Sequence, residues 1–483
     1  MNDKEKINFS TPIARRAMLK MSACGFGHTA LSALLAQAAQ ATTPLAPQAG
    51  HYPAKAKRVI FMFMSGGPSQ MDTFDHKPRL NADHGKPAPF ERDGTFEQPG
   101  VGTMRLFGSS WEFAQHGQSG TWVSELFPHI AGVIDDFAVL KGMHTDNLAH
   151  APACLQLHTG ATNFVWPSVG SWVMYGLGTD NQNLPGFITI NHPRGGDGGS
   201  PQHYASAFLP AMYQGTPVNL PKEQGSAADI RYLRDDSTPL SRQREQLDFV
   251  QRLNRRHLQK SGEDTLLEGM IESFELAFRM QTEAPELLSF HDENEATLKL
   301  YGIGEEPADQ FGRQCLLARR FAESGVRFIQ INAGGWDHHV GIRKALPDNA
   351  AQVDKPIAGL IRDLKARGML DETLIVWTGE FGRTPYEQDL SGGKKTIDRY
   401  GRGHNPYGFT TLMAGGGVRG GVVHGATDDY GYRAVDGKVH LHDLHATMLH
   451  LLGLDHERLT YRYAGRDFRL TDVYGRVVEE VLA

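Results

Sequence analysis

Three apolar runs in this chain each end in a short loop of glycine and chemically active side chains. Leu374-Ile375-Val376-Trp377 leads through Thr378-Gly379 to Glu380-Phe381-Gly382-Arg383. Phe328-Ile329-Gln330-Ile331-Asn332 leads to Gly334-Gly335-Trp336-Asp337-His338-His339. The run from Val59 to Met64 leads to Ser65-Gly66-Gly67-Pro68-Ser69-Gln70-Met71-Asp72. A short apolar run bounded by glycine reads as a strand buried on both faces, the kind that parallel sheets use. Open sheets of that kind bind ligands beyond the carboxyl ends of their strands. Three such ends carrying Asp, His or Glu predict one composite metal site.

The rest of the chain alternates strand and helix. Further strands are expected at 137–140, 187–190 and 410–414. Helices are expected at 307–324, at 354–367 with Asp354 as cap and Gly368 as stop, and from Asp443 to Leu452 with Asp443 as cap. Leu266, Met270, Phe274 and Phe278 recur at helical spacing, which predicts a long amphipathic region reaching about residue 290 with this stripe in the core. The fold class is therefore α/β, a mainly parallel central sheet with helices on both faces. The domain reading is a signal peptide at 1–41, a linker at 42–56 and one domain at 57–483. Loop and helical insertions interrupt that domain at 76–120 and 192–290.

Arg15-Arg16 precedes a weakly apolar run that closes on Ala39-Gln40-Ala41. This is the pattern of a twin-arginine (Tat) export signal, so the Tat machinery is an expected partner and the location periplasmic or otherwise exported. The segment 1–41 carries five basic and two acidic residues, so its removal takes the net charge from −6 to −9. A basic footprint for nucleic acid is absent. No later apolar run approaches the roughly 18 residues that span a membrane. Cys154 and Cys315 remain in the mature chain; they suit two buried thiols, although an exported chain could join them.

Asp337 and His339, two apart in an extended loop, can face one ion together, whereas adjacent His338 and His339 cannot. Glu380 at a strand end needs a solvent, ionic or metal partner. Arg383 three residues on could be that partner, or could bind an oxyanion such as phosphate or sulfate. His404, in Arg402-Gly403-His404-Asn405-Pro406, is a further loop ligand candidate. Thr145 and Ser69 are candidate nucleophilic hydroxyls, and His150 a candidate acid/base or ligand. The histidines at 440, 442, 445 and 450 suit core or surface roles, donating to carbonyls.

Several motifs together resemble the domain of unknown function 1501 family. They are GGPSQMDTFD (66–75), HAPA (150–153), GGWDHH (334–339), GEFGRTP (379–385), GRGHNP (401–406), AGGGVRGG (414–421) and the long run at 442–475. The resemblance implies an alkaline-phosphatase-like or sulfatase-like fold with a central sheet and a two-metal hydrolytic site. In that superfamily the strand end reads Thr-x-Asp-His-Gly, so Glu380 keeps the carboxylate while Phe381 occupies the imidazole position. His404 is then the expected replacement. Ser65 stands where an Asp is usual, and no Cys-x-Pro-x-Arg sulfatase signature is present. The expected ligands are Asp72, Asp337, His339, Glu380 and His404, holding zinc, manganese or calcium. Arg383 would bind the substrate anion, an ester of phosphate or sulfate that a polysaccharide could carry. The competing reading is a non-catalytic exported binding protein on a hydrolase scaffold.

Changing Arg15 and Arg16 together to lysine is expected to leave the precursor inside the cell. Fractionation and sequencing of the mature N-terminus check this; unchanged export and processing would remove the signal.

Overall fold

β1 (Arg58–Met64) is buried from Val59 to Met64, because parallel neighbours flank it and helices cover both faces. The other strands of the sheet are β2 (Phe137–His144), β3 (Phe187–Ile190), β4 (Thr216–Val218), β5 (Phe328–Ala333), β6 (Thr373–Thr378), β7 (Phe409–Ala414), β8 (Val422–His424) and β9 (Val439–His440). In space they run β8-β2-β7-β6-β1-β5-β3-β4, with β9 also pairing to β2. β7 is antiparallel to β2 and β6, and the remaining pairs are parallel. Register aligns Phe63 with Asn332 and with Thr378. The loops after β1, β5 and β6 therefore leave the sheet at one level.

This computed structural model describes residues 45–90, 105–192, 199–221, 228–230, 233, 235, 237–261, 265–388 and 397–483. The chain divides into the units Met1–Ala46 and Pro47–Ala483, and the central sheet belongs wholly to the second. The expected signal peptide at 1–41 lies outside the described residues. Residues 48–56, expected as a linker, are instead bonded to the body. Gln48 N donates to Leu177 O, His51 N to Gly453 O, and Ala56 N to Leu451 O.

The longer helices are α1 (His150–Thr159), α2 (Val169–Leu177), α3 (Leu240–Ser261), α4 (Thr265–Leu287), α5 (Asp309–Glu323), α6 (Ile342–Ala366) and α7 (Leu441–Leu451). Three helix expectations need correction. α6 starts well before Asp354 and runs through Pro347 and Pro356, because Ile342, Leu346, Ala350, Val353, Ile357 and Leu360 bury one continuous stripe. Asp354 caps a different turn, accepting from His129 N at 2.8 Å and Ile130 N at 2.7 Å. In α7 the cap is His440, and Asp443 is the third residue of a capping box, accepting from His440 N. In α4 the buried stripe is Leu267, Ile271, Met280 and Ala284, while Met270 and Phe274 are 41% and 42% exposed. Both stripes are apolar, so periodicity alone could not choose between them.

Cys154 and Cys315 are both free and buried. Among the described residues no helix is long and apolar enough to cross a membrane.

Three imidazoles are packed beside Gln330 of β5. His158 stacks on His203 at 4.6 Å between ring centroids, and His192 lies edge-on to His203 at 5.3 Å. The Gln330 amide nitrogen lies 3.2 Å from His158 Nε2 and 3.4 Å from His192 Nδ1. Burial pushes His192 down to about 4, His203 to about 3 and His158 well below its usual range. These groups stay neutral in the fold and gain protons in the unfolded chain near the ordinary value of about 6.5. Their contribution to stability is therefore complete above that value and is lost as pH falls toward 4. The urea midpoint is expected to drop between pH 6.5 and 5, at roughly 2 kcal/mol for each ring. His203→Phe should shallow that fall; an unchanged slope would take the ring out of the linkage.

Candidate metal centre

Four side chains meet beyond the carboxyl ends of the central strands. Asp337 and His339 leave β5, His150 opens α1, and His404 lies on a two-stranded hairpin. The hairpin pairs Gly382–Glu387 with Arg402–Asn405 and sets His404 opposite Arg383. It follows β6 directly, so the position of β6 fixes where His404 reaches. Within the Asp337-His338-His339 loop, alternate residues join the cluster. His338 is 3% exposed and is not part of it.

Each imidazole has its Nδ1 committed to an oxygen. His150 Nδ1 lies 2.7 Å from Glu380 Oε1, and His404 Nδ1 lies 2.6 Å from Leu148 O. His339 Nδ1 bonds Gln388 Oε1. A carboxylate, a backbone carbonyl and an amide oxygen can only accept, so each Nδ1 carries the proton. Each Nε2 then presents a lone pair. Asp337 Oδ1 lies 3.3 Å from His150 Nε2, 3.0 Å from His339 Nε2 and 3.4 Å from His404 Nε2. The Nε2 atoms of His339 and His404 are 2.8 Å apart. Lone pairs converging in this way repel unless a proton or a cation lies between them.

The spacing fits a cation. Zinc with bonds of about 2.0–2.1 Å has tetrahedral edges of about 3.3 Å. The four ligand atoms are all within 4.8 Å of one another, and His150 Nε2 is buried without a hydrogen-bond partner. Three imidazole nitrogens and one carboxylate oxygen are a donor set for a borderline divalent ion. Outer acceptors that fix the tautomer are what metal-binding histidines carry.

The charges in the cluster are strongly coupled. Burial alone would raise the Asp337 carboxyl, but with no cation in the cluster any proton on the facing imidazole nitrogens is directed at it, and together with the Arg383 charge this holds it far below the carboxylate range. Burial works against a charged His150, yet Asp337 and Glu380 bring it up to about 9. Burial brings His404 down to about 4, helped by Arg383 and the two neighbouring histidines.

Two glycines let these parts approach. Gly66 has φ +115°, and a Cβ there would lie 2.4 Å from Asp337 N. Gly67 has φ +78°, and its Cβ would lie 2.7 Å from the Phe381 ring. The Phe381 ring, fully buried, rests 4.5 Å from the His404 ring and 4.9 Å from that of His150.

Of the residues expected as ligands, Asp337, His339 and His404 come together. Glu380 lies behind His150 and also accepts from Gly66 N at 2.9 Å, so its oxygens face the imidazole and the backbone. Asp72 stands outside the cluster. Arg402 reaches its two oxygens at 2.7 and 3.1 Å, and Ser69 Oγ donates to it at 2.6 Å. Buried ion pairing thus takes up both Asp72 and Ser69. Thr145 Oγ1 donates to Gln156 Oε1 at 2.7 Å and has no bond to the cluster. Arg383, expected at the substrate, has no exposed surface. It donates to Gly67 O at 2.9 Å, to Arg402 O at 3.1 Å, to Gly66 O and to Asp337 at 2.6 Å.

The remaining histidines stay apart from this cluster. His442 and His445 donate to Gly160 O and Leu157 O, each at 2.8 Å. Sequence reasoning missed Gln388 and the Leu148 carbonyl. Neither carries a local signal, because hairpin register and the loop before α1 place them. The Arg402–Asp72 pair was also missed, since the partners lie 330 positions apart.

No curated protein matches the chain. Among solved structures it is similar to the PsFucS1 sulfatase from Pseudoalteromonas sp. at 15% identity and TM-score 0.35, over 83% of this chain and 68% of that one. It is similar to the lipoteichoic acid synthase LtaP from Listeria monocytogenes at 9% identity and TM-score 0.38, over 91% and 80%. It is similar to the alkaline phosphatase from the Antarctic bacterium TAB5 at 9% identity and TM-score 0.32, over 82% and 98%. Residues 56–482 match the family described as Protein of unknown function (DUF1501), and the chain belongs to that family.

Proposed function

We propose that this protein is an exported, metal-dependent hydrolase of phosphate or sulfate esters, including esters carried on polysaccharides. One observation carries the reading: three Nε2 lone pairs and a carboxylate oxygen converge while every Nδ1 is held by an outer acceptor. The donor set favours zinc or manganese over calcium, which prefers six or more oxygens. A divalent ion held there would polarise an ester oxygen and acidify a bound water.

The protein's own groups then have separate tasks. His150, His339, His404 and Asp337 would hold the ion, and Glu380 keeps His150 in its binding tautomer. Asp337 has 30% of its side chain exposed, the most of the four, and would be the most accessible donor of the set, placed to orient water. Arg383 holds Asp337 in place and leaves recognition of the ester anion to the ion.

A second reading has its own support. Four protein donors can close a tetrahedron, as structural sites do, and the hydroxyls of Ser69 and Thr145 are both engaged elsewhere. That protein would bind metal and partner without turnover. Nitrophenyl phosphate and nitrophenyl sulfate, assayed before and after chelation and metal return, separate the two. Hydrolysis lost on chelation and restored by the ion supports the hydrolase. A stoichiometric ion with no hydrolysis of either ester supports the binding protein.

Two substitutions test the assignments. Glu380→Gln keeps an acceptor for His150 but removes the charge, and metal affinity is expected to fall about 10–100-fold. Titration calorimetry on refolded apoprotein checks this; unchanged affinity would detach Glu380 from the site. Arg383→Met is expected to lower stability by about 3–5 kcal/mol, because Asp337 loses its buried partner. Denaturant unfolding in chelator reads that change free of metal linkage. Normal stability with only a raised KM would return Arg383 to the substrate.

A further inference from the structure

α3 and α4 form a helical hairpin, and α3 is its outer member. It packs on α4 through Gln251, whose Nε2 donates to Ile271 O at 2.8 Å, and through Arg244, which pairs with Asp248 and Glu275. On the face turned from α4, Phe249, Val250 and Leu253 are 56%, 40% and 49% exposed. Six Arg and Lys stand against two acids along this helix, in a chain whose net charge is −6. Asp248, one of the two acids, is already paired inward with Arg244. Arg242, Arg252, Arg256 and Lys260 are exposed and have no ion pair among the described residues.

An apolar ridge flanked by exposed cations on an otherwise acidic protein is unusual packing. Burying the ridge in the core would have been simpler, since α4 turns its own Leu267, Ile271, Met280 and Ala284 inward. We propose that this face of α3 docks on the surface of an anionic phospholipid bilayer. Phe249, Val250 and Leu253 enter the interface while the flanking Arg and Lys meet lipid phosphates.

Charge selects this occupant over a second copy. An antiparallel pair of α3 helices centred on the ridge would set Arg242 against Lys260 at both ends, cation facing cation, with no acid opposite either. Shape selects it over an acidic protein. The ridge projects from the outside of a helix, and a bilayer accepts such a projection without a matching cavity.

Vesicle flotation with the metal-loaded full mature chain tests the proposal. The vesicles are phosphatidylcholine alone and phosphatidylcholine with about a third phosphatidylglycerol. Binding is expected to the anionic vesicles only and to weaken with salt. Arg252→Glu with Arg256→Glu, and separately Phe249→Ser with Leu253→Ser, should each lower binding at least about tenfold. Arg252→Lys with Arg256→Lys should retain it. These positions are exposed, so unfolding midpoint and metal content should match the parent and confirm intact folding. Equal flotation of parent and variants overturns the proposal, as does failure of the parent to float with anionic vesicles. A parent dimer that Phe249→Ser with Leu253→Ser dissociates also overturns it, in favour of a second copy.

Discussion

Arg383 ties three separate parts of the chain to one carboxylate. Its guanidinium holds the Gly66 and Gly67 carbonyls in the loop after β1, the carbonyl of Arg402 on the hairpin, and Asp337 beyond β5. Strand ends in a parallel sheet lie near one another, but sheet register does not fix where their loops point. A planar fork of donors does, because it satisfies several acceptors in one plane. The fork is entirely buried, so loss of a carbonyl would leave an N–H unsatisfied and loss of Asp337 would leave the charge without its partner. Gly66 and Gly67 belong to the same device. Without a Cβ they bring their carbonyls against Arg383 and leave room for Asp337 and Phe381.

The charges around this brace bear on what the site can accept. Asp72 and Arg402 cancel within their own buried pair. Asp337 and Glu380 are negative and Arg383 is positive, so with His150 brought up to about 9 the cluster without a cation is neutral. A divalent ion in place of the His150 proton would leave one net positive charge. The proposed anionic ester then needs no guanidinium of its own. The burial of Arg383 is consistent with this balance, since its charge serves the protein side of the site.

The strands were legible because each is short, mostly apolar and has glycine close to one end, and β1, β3, β5 and β6 lie within a residue or two of expectation. The Asp337/His339 alternation was legible too, since period two in an extended loop is local geometry. Glu380 was legible as a strand-end carboxylate in need of a partner, but not as the acceptor for His150. That pairing depends on where His150 stands, 230 positions earlier in sequence. Asp72 misled for a related reason. A carboxylate beyond a buried strand looks like a ligand until its own cation, Arg402, is found on another loop. Arg383 misled because a conspicuous arginine after a strand end suggests an anion, and burial is not written in the motif. Helix limits failed where one local cue was trusted over summed burial, as at Pro356 and on the stripe of α4.

Phe381 shows why one imidazole had to come from elsewhere. It follows Glu380 directly beyond the end of β6 and offers no donor atom to a cation. Its ring is instead fully buried against His404 and His150. An aromatic wall there keeps water away from the bonds that hold Nδ1 of both rings, and such bonds are stronger when dry. His404 arrives from above that wall because the hairpin folds back and pairs its strand with the one carrying Arg383. The same strand end therefore supplies the acceptor Glu380, the apolar ring of Phe381 and the brace Arg383, and the candidate ligand His404 comes from the returning strand. A carboxylate, a phenyl ring and a guanidinium in four consecutive positions are chemically unlike, yet each acts on the same two imidazoles or their shared carboxylate partner.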